Sequence, residues 1–141
     1  MKHKAILLVE DNPDDELLTR RALQKNNICN EMTVVRDGAE ALAYLEKAAE
    51  LKSLPAVILL DLNLPKIGGL DVLRSIRAHE HLKLLPVVIL TSSKEDQDIC
   101  TGYDLGANSY IRKPVDFVQF TEAVRQLGFY WLLLNEAPPR P

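Results

Sequence analysis

The chain has 141 residues, 47% hydrophobic and 26% charged, with a formal net charge of -3 and a pI near 5.6. That make-up is one globular domain with room for a sizeable core, and it lacks the basic excess that draws a protein to nucleic acid. No apolar run approaches the roughly 20 residues needed to span a bilayer, and the apolar part of MKHKAILLVED is too short for a secretory signal, so a cytoplasmic protein is expected.

Along the chain, short apolar runs alternate with amphipathic stretches. Residues 5–9 read as a strand, followed by a helix over 13–26 with Leu17, Leu18, Ala22 and Leu23 at helical spacing. Pro13 suits a first helical turn, and Asn12 or Asp11 suits its cap. A short strand at 32–35 precedes a helix at 38–49. A wholly apolar strand at 56–60 ends on Asp61, and a helix at 69–78 buries Leu70, Leu73 and Ile76. Gly68 and Gly69 serve the turn and helix start after Pro65. A further apolar strand at 86–90 ends on Thr91, Ser92 and Ser93, where Ser92 or Ser93 suits the cap of a polar helix at 94–105. A strand at 109–112 ends on Lys113, and the last helix runs over 116–127.

Five strand–helix units with wholly apolar strands imply a parallel sheet covered on both faces. Right-handed crossovers then make it an open, doubly wound α/β sheet. Ligands in such sheets bind beyond the carboxyl ends of the strands. Here those ends carry Glu10 and Asp11, Asp61, Thr91 and Lys113. Carboxylates brought that close repel one another, by about 4 kcal/mol at ~4 Å and an effective dielectric of ~20. Mg2+ offsets that repulsion, because it takes few carboxylates and binds phosphate oxygens. Lys113 adds a fixed cation and Thr91 a hydroxyl, so the set suits a phosphoryl group, with Asp61 as its covalent acceptor. Each residue alone reads as a cap or a solvated turn; all of them at successive strand ends do not.

The stretches LLVEDNPDD, VILLDLNLPKIGGLDVL, VVILTSS and GANSYIRKP are ordered and spaced as in response-regulator receiver domains of bacterial two-component signalling. The resemblance covers residues 4 to about 127. It implies a flavodoxin-like fold of five parallel strands in the order 2-1-3-4-5 with five helices. It also implies a receiver domain over 1–127, and because the sequence stops soon after the expected fifth helix, no output domain is expected. Asp61 matches the phosphoacceptor. Asp11 matches the direct metal ligand and Glu10 a ligand acting through water; the pair is Glu-Asp where Asp-Asp is usual, and the longer glutamate fits that role. Asn63 matches the position whose backbone carbonyl completes the metal shell. Thr91 and Lys113 match the groups that grip the phosphoryl oxygens, Tyr110 the aromatic switch residue, and Lys113–Pro114 a peptide bond usually cis in the family. The implied partner is a histidine kinase, and the protein would act on no substrate beyond its own phosphorylation and dephosphorylation. EDQDICTGYDLGANSYIRKPVDF further resembles single-domain regulators partnered with phytochrome-type kinases.

Two other phosphate-handling classes fit less well. A haloacid-dehalogenase-type phosphatase wants an acid two residues after its nucleophile, where Asn63 stands. A flavin module wants a phosphate-cradling loop where EDNPDD stands. A degenerate receiver serving only as a scaffold would lack some of the chemical residues, and all are present. Cys29 and Cys100 match no zinc or redox spacing and read as separate reduced thiols. His79 and His81, two apart, would not face one another on a helix. Residues 128–141 include Phe129, Tyr130, Trp131, Leu132, Leu133 and Leu134, too apolar for a solvated terminus. They read either as a segment folded back into a groove of its own domain or, the favoured reading, as a dimerisation arm, with the fourth helix, fifth strand and fifth helix as the face of a homodimer.

Overall fold

Short β-rich apolar runs form the strands of the computed structural model, which describes residues 5–28, 30–91, 96–112, 118, 121, 122, 125 and 126. In chain order the elements are β1 (Ile6–Val9), α1 (Pro13–Lys25), β2 (Met32–Val35), α2 (Gly38–Glu50), β3 (Val57–Leu60), α3 (Gly69–Ala78), β4 (Val87–Thr91), α4 (Asp96–Asp104) and β5 (Ser109–Arg112). The strands pair in parallel, ordered β2-β1-β3-β4-β5, so the fold is a flavodoxin-like, doubly wound α/β sheet.

Alternation along the strands divides the core in two. Leu7, Val9, Ile58, Leu60, Val87 and Ile89 face Ala41 and Leu45 of α2 and Val72, Leu73 and Ile76 of α3. Ile6, Leu8, Val57, Leu59, Val88 and Leu90 face the opposite way, against Ala22 and Leu23 of α1. With apolar side chains required on both faces, β1, β3 and β4 have few polar positions until they leave the sheet. The first polar residues then fall together at one edge.

Most predicted boundaries shift by a residue or two, for local reasons. The first helix ends at Lys25 because Asn26 turns its side-chain amide onto the Ala22 carbonyl (2.8 Å) and the Thr121 carbonyl (3.0 Å). Pro86 has no N–H to donate, so β4 starts at Val87; Thr91 pairs with Arg112 and belongs to the strand. The α4 end at Asp104 is followed by Gly106 at φ 94°, a turn that a side chain would strain. Of the predicted fifth helix, residues 118, 121, 122, 125 and 126 are helical, and the buried Thr121 reaches α1 through Asn26. Cys29, Ser92, Ser93, Lys113, Pro114 and the 128–141 arm lie outside the described residues. The reading of His79 and His81 needs correction. Because α3 stops at Ala78, helical spacing does not separate them; His79 Nδ1 accepts from the His81 N–H (3.0 Å) and the rings lie 6.0 Å apart.

At the end of the sheet away from the strand carboxyl termini, one guanidinium ties three segments together. Arg77 Nε and Nη2 donate to the Gly106 carbonyl (3.0 and 2.6 Å), and Nη1 donates to the carbonyls of Lys83 (3.0 Å) and Leu85 (2.7 Å). Nη2 also reaches Asn108 Oδ1 (3.0 Å), which accepts from Val87 N–H as well (2.9 Å). Burial pushes the Arg77 pKa below its ordinary value, yet the carbonyls hold the charge. Arg77→Met should lower stability by about 1–3 kcal/mol, the cost of stranding such acceptors. A urea midpoint equal to that of the unmodified protein would contradict this account of the anchor.

Candidate functional site

The register of the sheet builds the site. Val9 pairs with Leu60 in β3 and with Val35 in β2. The ladder continues one residue further: Glu10 N–H donates to the Val35 carbonyl (3.0 Å) and Asp61 N–H to the Val9 carbonyl (3.1 Å). Glu10 and Asp61 therefore leave the sheet on neighbouring strands, spaced about 4.8 Å apart in a sheet of this kind. Asp11 follows Glu10. Ligand oxygens of Glu10, Asp11 and Asp61 all lie within 4.8 Å of one another. Glu10 and Asp61 are buried, at 1% and 5% exposure, while Asp11 is open to solvent.

Backbone amides orient the two buried acids. Asn12 N–H donates to Glu10 Oε2 (3.3 Å), and Asn63 N–H donates to Asp61 Oδ1 (3.1 Å). Asn12 also caps α1, its Oδ1 accepting from Asp14 N–H (2.8 Å) and Asp15 N–H (3.3 Å). Asp14 and Asp15 thus stand apart from the carboxylate triad, in the first turn of α1, where acids complement the helix dipole. The triad fits a hard divalent cation, which takes oxygen ligands and offsets this local charge.

Thr91 ends β4, and its pairing with Arg112 brings the last residue of β5 to the same end of the sheet. Tyr110 lies on β5 opposite Ile89. Asn63 lies two residues past Asp61, exposed, in the loop leading to α3. Lys113 and Pro114 are outside the described residues.

Sequence reasoning missed how tightly the loop after Asp61 is closed. A Cβ on Gly69 would sit 2.2 Å from the Asp61 carbonyl oxygen, so only glycine lets α3 start there. Gly69 N–H returns to the Leu62 carbonyl (3.1 Å). It also missed a charge network beside the site. Glu16 of α1 pairs with Arg36, at the end of β2, and with Arg20 (3.0 Å). Burial alone would raise the Glu16 pKa, but hydrogen bonds from Arg36 and Arg20 outweigh it and hold the carboxyl below its ordinary value. Its contribution to stability is therefore complete above that ordinary value and is lost as pH falls through the lower folded-state value. Glu16→Gln should flatten this part of the acid limb in urea unfolding followed from neutral to acid pH; an unchanged limb would exclude the network as its source.

Residues 6–125 match the family model of the response regulator receiver domain, and the chain belongs to that family. It is 38% identical over 131 residues to response regulator Rcp1 of Synechocystis sp. (strain ATCC 27184 / PCC 6803 / Kazusa), covering 92% of this chain and 89% of that one. To FilR2 of Methanothrix harundinacea (strain 6Ac) it is 40% identical over 134 residues, covering 94% and 86%. Among solved structures it is similar to the phosphorylated cyanobacterial phytochrome response regulator RcpA, with a TM-score of 0.87, 42% identity and coverage of 97% and 99%. The Mn2+-bound form of Rcp1 gives a TM-score of 0.85, 37% identity and coverage of 96% and 99%. The protein is a receiver-domain response regulator, the component of a two-component system that answers to a histidine kinase. Among the described residues no helix is long and apolar enough to cross a membrane.

Proposed function

We propose that Asp61 takes a phosphoryl group from a histidine kinase with Mg2+ at the Glu10, Asp11 and Asp61 carboxylates, and that this switches a protein-binding face. The convergence of those three carboxylates at the strand ends carries the reading. Asp11 and Asp61 would hold the metal directly, Glu10 through water, and the Asn63 carbonyl would complete the shell. When bound, the cation supplies charge neutralisation for the phosphoryl oxygens. An Asp61 carboxylate oxygen attacks phosphorus, forming a P–O bond as the P–N bond to the donor histidine breaks. The imidazole leaves with that electron pair. The Asn63 N–H on Oδ1 keeps the carboxylate oriented for attack. Lys113 and Thr91 would bind the other phosphoryl oxygens. Water later hydrolyses the acyl phosphate, so the only chemistry is the protein's own phosphorylation and its reversal. The similarity to the phytochrome response regulator RcpA supports a phytochrome-type kinase as donor.

The same reading extends to the whole fold and to its output. The domain would comprise five strands and five helices over 1–127, with 128–141 as a dimerisation arm, in the cytoplasm and bound to neither membrane nor nucleic acid. Thr91 would close on the phosphoryl group and Tyr110 would turn inward, a population shift driven by new contacts. Tyr103 of α4 and Val118, 50% and 73% exposed, supply apolar surface for a homodimer through α4, β5 and the fifth helix.

Incubation with acetyl phosphate and Mg2+ should label the unmodified protein and leave Asp61→Asn, which keeps the side-chain shape, unlabelled. Equal labelling of both would refute Asp61 as acceptor. With beryllofluoride as phosphate mimic, crystals should show the Tyr110 ring turned inward, and sedimentation at micromolar concentration should show a dimer. A monomer with and without the mimic removes the homodimer, and an unmoved Tyr110 ring removes the switch.

A further inference from the structure

We propose that Asp37 and Lys66 form a positioning pair that sets the geometry of the Asp61 carboxylate, and so the affinity for a divalent cation, from outside the ligand set; the proposal rests on the reading of Asp61 above. The loop over 62–68 leaves Asp61 and comes straight back to it. Its far end is fixed by the close approach of Gly69 to the Asp61 carbonyl and by the Gly69 N–H to Leu62 hydrogen bond. Its near end holds Asp61 Oδ1 through the Asn63 N–H. Any displacement of the loop apex therefore moves the donor that orients the carboxylate.

The N-terminus of α2 pins that apex at two adjacent points. Asp37 caps α2, its Oδ1 accepting from Glu40 N–H (2.8 Å), and its Oδ2 faces Lys66 Nζ at 3.4 Å. The Glu40 amide and the Lys66 charge together hold the Asp37 carboxyl below its ordinary pKa. Next to it, a Cβ on Gly38 would sit 2.3 Å from the Ile67 carbonyl oxygen and 2.7 Å from Ile67 Cβ, so the backbones touch. Lys66 itself has φ 67°, a left-handed conformation that a side chain adopts only at a cost. Glycine would sit there without strain. A lysine kept at that φ, with its ammonium on the α2 cap, trades local strain for a tie between the loop and the helix.

The pair is separable from ordinary stability by choice of variant. Asp37→Asn keeps an acceptor for the Glu40 N–H and removes the charge. Lys66→Gly relieves the left-handed strain and removes the cation. Each variant should weaken Mn2+ binding, measured by titration calorimetry, by about two- to fivefold, the span of a single exposed ion pair. Each should also shift the Asn63 amide resonance. The double variant should be no weaker than the worse single one, because one interaction is lost in all three. Lys66→Gly should melt no lower than the unmodified protein while it binds metal less tightly, which a merely structural role would not produce. Lys66→Arg should restore binding. Wild-type Mn2+ affinity and an unmoved Asn63 resonance in both single variants would overturn the positioning pair and leave the role of Asp61 intact. An unmodified protein that neither binds Mn2+ nor labels with acetyl phosphate would overturn the reading beneath it.

Discussion

The in-register parallel pairing of β1 with β3 is the constraint on which the site depends. Val9 opposite Leu60 places Glu10 beside Asp61 as soon as both strands leave the sheet. A slip of one residue would send one of them to the other face. The register is secured by burial on two sides. Leu7 and Ile58 pack toward α2 and α3, Leu8 and Leu59 toward α1, and all four are nearly or wholly enclosed. The hydrophobic core thus forces like charges together that would separate if free to do so. That opposition gives the edge of the sheet its appetite for a cation.

Local devices then refine what register brings together. The two buried acids are each held by a backbone N–H two residues ahead, Asn12 for Glu10 and Asn63 for Asp61. Asn12 works twice, since its side chain also starts α1. The start of the helix and the aim of an acid are therefore set by one residue. The N-termini of α1, α2 and α3 all follow strand ends at this edge, and their partial positive charges favour anions there.

Much of this was legible in the sequence. The apolar runs ending on Asp61, Thr91 and the Glu10–Asp11 pair define both the sheet and the position of the acidic site, because strand and chemistry meet at one polarity boundary. The edges of elements were less legible. Pro86 and Thr91 exchange places at the limits of β4 because a missing N–H and a pairing partner decide, and neither is a matter of periodicity. The closed loop after Asp61 was legible only in part. Gly69 reads as a helix start in the sequence, while its role against the Asp61 carbonyl depends on a contact through space. Arg36, Glu16 and Lys66 look like surface charges one by one; only the fold shows that they bridge β2 to α1 and the 62–68 loop to α2.

The Arg77 anchor also bears on how this chain can change in length. Its guanidinium spans the α3–β4 connection through Lys83 and Leu85 and the α4–β5 connection through Gly106. A planar fork has a fixed reach, so an added residue in either connection would carry a carbonyl out of range. The α2–β3 connection is built differently. Leu51, Lys52 and Ser53 donate back to Lys47, Ala49 and Ala48 of the helix they have just left, and Leu51 is 66% exposed. An insertion, a grafted epitope or evolutionary drift in loop length would there disturb a turn whose hydrogen bonds from residues 51–53 return to the helix they have just left.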